Sequence, residues 1–365
     1  MKVVHKLAFG CSGAGVSGQA SDMTSCELPR IQIGDPGELI DTLPYLLGFH
    51  PSESLVLVGF AGSAASPGPQ RVQVTVRLDL PPDLSDGLDD ELLEPLGDVL
   101  AQAGCRAVAV VLMTDSVTGD PRAPDGLLGC REALAVAMAE LDIEVLDVLV
   151  ATDQRWWSLW CEQPDCCPAG GNRRSPRSSE AAARAAFAGL AALPDRDALE
   201  ATLAGRDPGR RSALVPLLLA AARSRDTVAP ARLADRRSAE VAALLVAAER
   251  MPAAPGDEQL AGHAVALADP RVRDALWLAI DDGDERLASL MAELHGRLPA
   301  PYDAAPLFLL GWSHWRAGNA TLAGMAAERV LRSQPGYSAA LLLVTATRRG
   351  LDPRAVPALS QGRLG

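Results

Sequence analysis

Strand-like segments in this chain are confined to its first half, and this limits the folds that the sequence can adopt. The segments with the composition of strands are 30–33, 54–60, 72–78, 107–113, 144–151 and 156–161. Helix-like segments separate several of them, and strands that alternate with helices are typical of a mixed α/β sheet covered on at least one face. From Glu180 onward only helical segments remain. We therefore predict an α/β domain with a mixed sheet and covering helices, followed by an all-α helical domain.

The predicted domain boundaries follow from this change of pattern. Residues 28–171 form the predicted α/β domain, and residues 180–355 form the predicted all-α domain. Between them, residues 172–179 are polar and basic and are predicted to be a linker, and residues 356–365 are predicted to be a tail. Pro, Gly and Asp separate the helical segments of the second domain, as expected for helix ends and turns.

Residues 1–27 are predicted to be a disordered leader, with Met23 as an alternative true start. The segment lacks the apolar core of a signal peptide. It contains the pattern G-x-G-x-x-G at 13–18. A dinucleotide-binding fingerprint requires a strand before that pattern and a helix after it. The flanking residues predict neither, so we do not predict a dinucleotide site.

The charge distribution bears on the choice of partner. The chain has a net charge of −12, and residues 1–150 carry 22 Asp and Glu against 8 Lys and Arg. This acidic half would repel a phosphate backbone. In residues 181–365, 20 Asp and Glu alternate with 22 Arg at helical spacing, which is typical of solvated helix faces. We predict no nucleic-acid partner, and no membrane partner because no apolar run approaches the roughly 18 residues of a membrane span.

The distribution of lysine excludes several chemistries. Lysine occurs only at Lys2 and Lys6. A Walker A lysine, a Schiff-base lysine and a kinase β3 lysine are therefore excluded beyond residue 6. The chain also contains no G-x-S-x-G elbow and no H-E-x-x-H zinc motif.

Three cysteines near the end of the α/β half allow three interpretations. Cys161, Cys166 and Cys167 have the spacing C-x₄-C-C, and the intervening turn residues could bring the sulfurs together. A structural zinc site needs four ligands, and His50 is the candidate for the fourth. A redox pair would join Cys161 to one of the other two. The interpretation we favour is small buried hydrophobic side chains, so no metal and no cofactor is predicted and zinc remains an alternative.

The loop at 48–54 is the other candidate site. His50 and Glu53 could form an acid/base pair beside Ser52, or the loop could be a turn stabilised by local side-chain bonds, which we favour. Together with the predicted turn after residue 151, this loop supplies the candidate residues for a ligand or partner: Phe49, His50, Ser52, Glu53, Asp153, Arg155, Trp156 and Trp157.

Two motifs carry a resemblance to a known family. Residues 35–59 read DPGELIDTLPYLLGFHPSESLVLVG, and residues 153–158 read DQRWWS, with CCP at 166–168. These motifs resemble those of an actinobacterial family known as domain of unknown function 4192. The resemblance implies a bacterial cytoplasmic protein without an established activity, and it supplies no catalytic residues. Members of the family usually begin close to the position of Met23.

A second resemblance concerns residues 305–337. Their small and large residues fall at the positions of one tetratricopeptide unit, in which alanines lie where two helices approach closely: Leu310, Gly311, His314, Trp315, Gly318, Ala323, Ala327 and Pro335. Only one clear copy is present, so we predict a helical hairpin within the all-α domain rather than a repeat array.

Two functional hypotheses follow. The first is a non-catalytic binding or regulatory scaffold whose partner is an unknown protein or small molecule. The alternative is a hydrolase or thiol-dependent enzyme that uses the His50/Glu53 loop and the cysteine cluster in one pocket. A cleft shared by the loop and the cluster would favour the enzyme.

Overall fold

The computed structural model describes residues 3–6, 30–33, 35–63, 65, 70–81, 83–84, 87–117, 119–123, 127–174, 179–187 and 190–359. Contacts within the chain divide it into two units, Met1–Leu199 and Glu200–Gly365. This division lies beyond the predicted linker at 172–179, and the predicted boundaries stay a prediction. The glycine pattern at 13–18 and Met23 lie outside the described residues.

The first unit is built on a mixed sheet. Its described strands are β1 (Val3–Lys6), β2 (Arg30–Ile33), β3 (Ser54–Phe60), β4 (Gln70–Asp79), β5 (Ala107–Met113), β6 (Glu144–Ala151), β7 (Arg155–Ser158) and β8 (Asn172–Arg173). They lie in the order β2-β1-β4-β3-β5-β6-β7-β8. Strands β5 and β6 are parallel, whereas β3 is antiparallel to β4 and β5, and β7 is antiparallel to β6 and β8.

Strand β1 lies within the segment predicted as a leader. It pairs antiparallel with β2 and parallel with the start of β4. These pairings with distant strands are long-range interactions that the local sequence pattern did not indicate. The rest of the predicted leader lies outside the described residues.

Both faces of the central strands are buried, and helices pack against the sheet. The helices of the first unit are α1 (Pro36–Leu47), α2 (Asp90–Gln102), α3 (Leu128–Ala139) and α4 (Glu180–Phe187), and α5 (Arg196–Ala201) spans the division. Leu57 of β3 shares a hydrophobic cluster with Leu100 of α2 and Leu134 of α3. Its neighbour Val56 is also fully buried, and successive side chains point to opposite faces of a strand.

Helix α1 determines where the candidate loop begins. The Asp35 side chain accepts a hydrogen bond from the Glu38 backbone N–H (2.9 Å), and Pro36 occupies the first turn. At the other end, Gly48 has a φ of +83°, a left-handed conformation that ends the helix. The chain therefore leaves α1 at Gly48 and enters β3 at Ser54.

In the described part of the second unit, 200–359, the regular secondary structure consists of helices. Its helices are α6 (Pro208–Ala213), α7 (Val215–Asp226), α8 (Leu233–Glu249), α9 (Asp257–Leu267), α10 (Pro270–Asp281), α11 (Glu285–Arg297), α12 (Ala304–Arg316), α13 (Ala320–Ser333) and α14 (Ser338–Arg348), with a short 3₁₀ turn at Pro230–Arg232. The predicted fold class, an α/β sheet followed by helices, is therefore confirmed.

Candidate functional site

A cavity of about 780 Å³ lies at one edge of the sheet in the first unit. Its walls come from the loop that follows β5, the turn that follows β6, and the segment that precedes β8. Because β5 and β6 are parallel, their carboxyl ends meet at this edge. Ligands of open α/β sheets characteristically bind outside the carboxyl ends of the strands.

Glu53 fixes the start of the loop that follows β5. Its carboxylate accepts one hydrogen bond from the Thr114 hydroxyl (2.8 Å) and one from the Asp115 backbone N–H (3.1 Å). Its carbonyl oxygen accepts a further bond from the Leu80 backbone N–H (2.9 Å). Glu53 has a φ of +39°, in the left-handed region that favours glycine. Glu53 therefore holds in place the start of the loop that follows β5.

Asp115 joins this loop to the turn that follows β6. Its Oδ1 accepts a hydrogen bond from the Asp153 backbone N–H (3.0 Å). The turn itself is closed by the Thr152 hydroxyl oxygen, which accepts from the backbone N–H groups of Gln154 (3.2 Å) and Arg155 (3.0 Å). Both Asp115 and Asp153 are exposed and line the cavity. The Asp115 carboxylate is therefore held against the backbone of the turn that carries Asp153.

Arg155 and Trp157 of β7 hold the opposite wall. The Arg155 guanidinium donates to the carbonyl oxygens of Gly170 (2.6 Å) and Gly171 (3.2 Å), and the Trp157 indole N–H donates to Ala169 (3.0 Å). Gly171 has a φ of +72°, and a Cβ there would lie 2.4 Å from Cε2 of Trp157. The indole therefore packs against the backbone at a position where only glycine fits.

Asp120 and Arg122 connect the cavity to the cysteine cluster. Nε and Nη2 of Arg122 each donate to a different oxygen of the Asp120 carboxylate at 2.8 Å, and these hydrogen bonds lower the pKa of Asp120. Nη1 of Arg122 donates to the carbonyl oxygens of Cys161 (2.8 Å) and Cys167 (3.0 Å). Asp120 lines the cavity, so this ion pair lies between the cavity and the cysteines.

The three cysteines do converge. The Sγ atoms of Cys161, Cys166 and Cys167 all lie within 4.8 Å of one another. Cys167 is buried, Cys161 is half-buried and Cys166 is exposed, so the favoured interpretation as buried hydrophobic side chains fits Cys167 alone. Burial raises the pKa of Cys167 to about 12. By contrast, the backbone N–H of Gln163 lowers the pKa of Cys161.

The remaining predicted residues lie away from this centre. Phe49 is only 2% exposed and forms a backbone bridge with Leu193, so it belongs to the core. The His50 backbone N–H donates to the Leu193 carbonyl oxygen (2.9 Å). Ser52 is exposed, and its carbonyl oxygen accepts from the Ser54 hydroxyl (2.6 Å). The Trp156 indole lies against α1, where a Cβ on Gly37 would be 3.1 Å from Nε1.

The lining differs from the predicted set in two directions. Of the predicted candidates, Asp153, Arg155 and Trp157 line the cavity. Asp115, Asp120 and Thr152 line it too, although the sequence did not predict them. His50, Glu53 and the three cysteines do not contribute to its walls. The sequence did contain one signal for Asp115, because it lies two residues after the predicted buried strand at 107–113.

The fold and the site define a class of protein in which a mixed α/β unit with a polar cavity precedes a helical unit. The chain belongs to the family described as a domain of unknown function, DUF4192, whose sequence model matches residues 36–354. No curated protein and no solved structure matches the chain. Among the described residues, every helix is too short or too polar to cross a membrane.

Proposed function

We propose that the protein is a non-catalytic binding or regulatory scaffold whose first unit binds a small ligand with an amine or guanidine group. The observation that carries this proposal is the pair of exposed carboxylates, Asp115 and Asp153, at the carboxyl ends of β5 and β6. The third carboxylate of the lining, Asp120, is already paired with Arg122. Trp157 also lines the cavity, although most of its ring packs in the core of the first unit.

The state of the cavity residues supports binding over catalysis. General acid–base catalysis requires a positioned group that can reach a reacting proton. Both carboxylate oxygens of Glu53 accept hydrogen bonds from Thr114 and Asp115, and the cavity walls include neither Glu53 nor His50. The shared cleft that would favour a hydrolase or thiol enzyme therefore lacks support from the lining of this cavity.

The scaffold role in this proposal rests on the helical half of the chain. Helices α12 and α13 approach closely, since a Cβ on Gly311 would lie 2.9 Å from Cβ of Ala326. Such close helix pairs are typical of tetratricopeptide units, which bind peptides or proteins, and the resemblance of residues 305–337 extends to this feature. The free thiols of the five described cysteines support a cytoplasmic location.

Thermal unfolding with small cations tests the binding proposal. L-arginine, agmatine and putrescine should raise the melting temperature of the full chain, because a ligand at about 100 times its Kd stabilises by about 2.7 kcal/mol. L-citrulline, the uncharged counterpart of arginine, should have a much smaller effect. The ligands should be recovered unchanged by mass spectrometry, since no reaction is proposed.

Two matched substitutions localise the binding. Asp153→Asn removes a cavity carboxylate and should weaken cation binding by about tenfold, the equivalent of about 1.4 kcal/mol. Asp98→Asn, at an exposed position of α2, removes the same charge outside the cavity and should leave binding unchanged. Equal affinities of the two variants, or stabilisation by citrulline as large as that by arginine, would contradict the proposal.

A further inference from the structure

The cysteine cluster has nearly the dimensions of a thiolate metal site. The Sγ atoms of Cys166 and Cys167 are 3.9 Å apart, and all three sulfurs lie within 4.8 Å of one another. A tetrahedral zinc site with Zn–S bonds of about 2.3 Å spaces its sulfurs about 3.8 Å apart. Movements of less than an ångström would therefore place Cys161, Cys166 and Cys167 at three corners of such a site.

We propose that Cys161, Cys166 and Cys167 bind one zinc ion through three thiolates, with water in the fourth position. Among the described residues, the cluster contains no fourth His, Cys, Asp or Glu ligand. Cys167 is buried and would lie at the floor of the site, whereas Cys166 is exposed and Cys161 is half-buried. The fourth position accordingly faces solvent, an arrangement in which zinc commonly retains a water molecule.

The local backbone prepares the sulfurs for an ion. The carbonyl oxygen of Gln163 accepts hydrogen bonds from the backbone N–H groups of Cys166 (3.1 Å) and Cys167 (2.7 Å), which forms a tight turn between the first sulfur and the other two. This turn brings together sulfurs that are five and six positions apart in the sequence.

The ion pair of Arg122 with Asp120 also holds the backbone of the cluster in place. The Arg122 guanidinium lies beside the cluster, where it donates to the carbonyl oxygens of Cys161 and Cys167. Arg122 is held by two hydrogen bonds to Asp120 at 2.8 Å. Asp120 neutralises the Arg122 charge, so what the ion pair supplies next to the proposed centre is the Nη1 group, which holds the Cys161 and Cys167 carbonyl oxygens and so fixes the backbone that carries two of the sulfurs.

A disulfide explains the geometry less well. An S–S bond joins two sulfurs at about 2.05 Å and leaves the third cysteine without a role. Here all three sulfurs converge on one region, which a metal ion requires and a disulfide does not. Zinc binding also needs no oxidant, since each S–H bond broken releases a proton to solvent and each thiolate forms a Zn–S bond.

Metal analysis of the purified full chain tests the site. After reduction, incubation with zinc and removal of unbound ion, we expect about one zinc per chain. Cobalt should replace zinc and produce the thiolate-to-cobalt absorption in the near ultraviolet that oxygen and nitrogen ligands do not give. Bound zinc should also slow the reaction of the three thiols with a thiol reagent.

Single substitutions assign the ligands. Cys161→Ser, Cys166→Ser and Cys167→Ser should each reduce zinc affinity at least tenfold, whereas Cys130→Ala, which removes a thiol from the hydrophobic core, should retain zinc. Cys166 is exposed, so its variant keeps the test valid even if Cys167→Ser fails to fold. The proposal is overturned if the wild type holds no zinc, if the Cys166→Ser variant binds zinc as tightly as the wild type, or if the reduced protein re-forms a disulfide in the presence of zinc.

Discussion

At the scale of single residues, Asp147 is a half-buried carboxyl in β6 whose protonation should affect stability. Burial raises its pKa to about 6, although the Ser158 hydroxyl donates to Oδ1 (2.7 Å). Because the pKa is higher in the folded than in the unfolded state, stability decreases as pH rises from about 4 to 6. The ionised carboxylate therefore destabilises the folded protein at neutral pH.

Asp147→Asn should remove this penalty while keeping an oxygen acceptor for Ser158. We expect the variant to be more stable than the wild type at pH 7.5, by roughly 1–3 kcal/mol, and to show little difference at pH 4. Urea unfolding at the two pH values measures the difference. Asp98→Asn is the control and should show no such dependence, and an Asp147→Asn effect of equal size at both pH values would argue against the burial mechanism.

The residues of the cavity could be predicted only in part. Asp153, Arg155 and Trp157 were found because they share one turn with a dense aromatic sequence. Asp115 and Asp120 were missed because they reach that turn only through the parallel pairing of β5 with β6, which local sequence does not determine. Phe49 was included for its place in the loop, yet it packs in the core.

At the scale of elements, two helical glycines offer a matched test of helix packing. Gly311 of α12 faces α13, and a Cβ there would lie 2.9 Å from Cβ of Ala326 and 3.3 Å from Cδ2 of Leu343. Gly262 of α9 is exposed, and a Cβ there would meet no atom within 4 Å among those described. Both positions would gain helix propensity on substitution by alanine, but only Gly311 would suffer a steric clash.

The same substitution should therefore have opposite effects at the two positions. Gly262→Ala should stabilise the protein by about 0.5–1 kcal/mol, because alanine is the better helix former. Gly311→Ala should destabilise it by about 1–3 kcal/mol, since an added methyl group in a packed interface forces the helices apart. Chemical denaturation of both variants measures these changes. Stabilisation by Gly311→Ala would show that α12 and α13 are not in close contact.

The strands were predicted well where the pattern of apolar residues determines their bounds. They were predicted less well where a side-chain hydrogen bond to the backbone ends the strand. The strand predicted at 54–60 matches β3, since its apolar residues are buried on both faces. The strand predicted at 156–161 is shorter, because β7 ends at Ser158. The Ser158 hydroxyl oxygen accepts from the backbone N–H groups of Trp160 (3.1 Å) and Cys161 (3.0 Å), which turns the chain out of the sheet. The residues of this turn have the composition of a strand, so the sequence pattern did not show where β7 ends.

At the scale of the whole molecule, the two described carboxyl groups whose pKa is raised lie in the first unit, whereas the second unit contains two whose pKa is lowered, as is that of Asp120 beside Arg122 in the first unit. In the first unit, burial raises the pKa of Asp41, despite the neighbouring Arg174, and the pKa of Asp147. In the second unit, burial would raise the pKa of Asp269, but hydrogen bonds from Arg225 and Arg237 (2.7 Å each) lower it to about 2. The pKa of Asp281, also in the second unit, is lowered as well.

These shifts predict that acid acts differently on the two units. A carboxyl whose pKa is lowered on folding contributes stability at neutral pH that is lost as pH falls from about 4 toward 2. A carboxyl whose pKa is raised has the opposite effect, so the first unit should gain stability as pH falls from about 6 to 4. Its high negative charge adds to this gain, because acid also relieves self-repulsion.

Calorimetry of the full chain should therefore show two unfolding transitions whose separation changes on acidification. Between pH 7 and pH 3, the transition of the second unit should move to lower temperature relative to that of the first. Gly262→Ala identifies the transitions, since it should raise only that of the second unit, in which α9 lies. Asp269→Asn should make the second transition less dependent on pH below 4, because the ionised carboxylate that stabilises the folded state is then absent. Parallel shifts of both transitions, or a larger loss in the first unit, would rule out this assignment of the acid sensitivity.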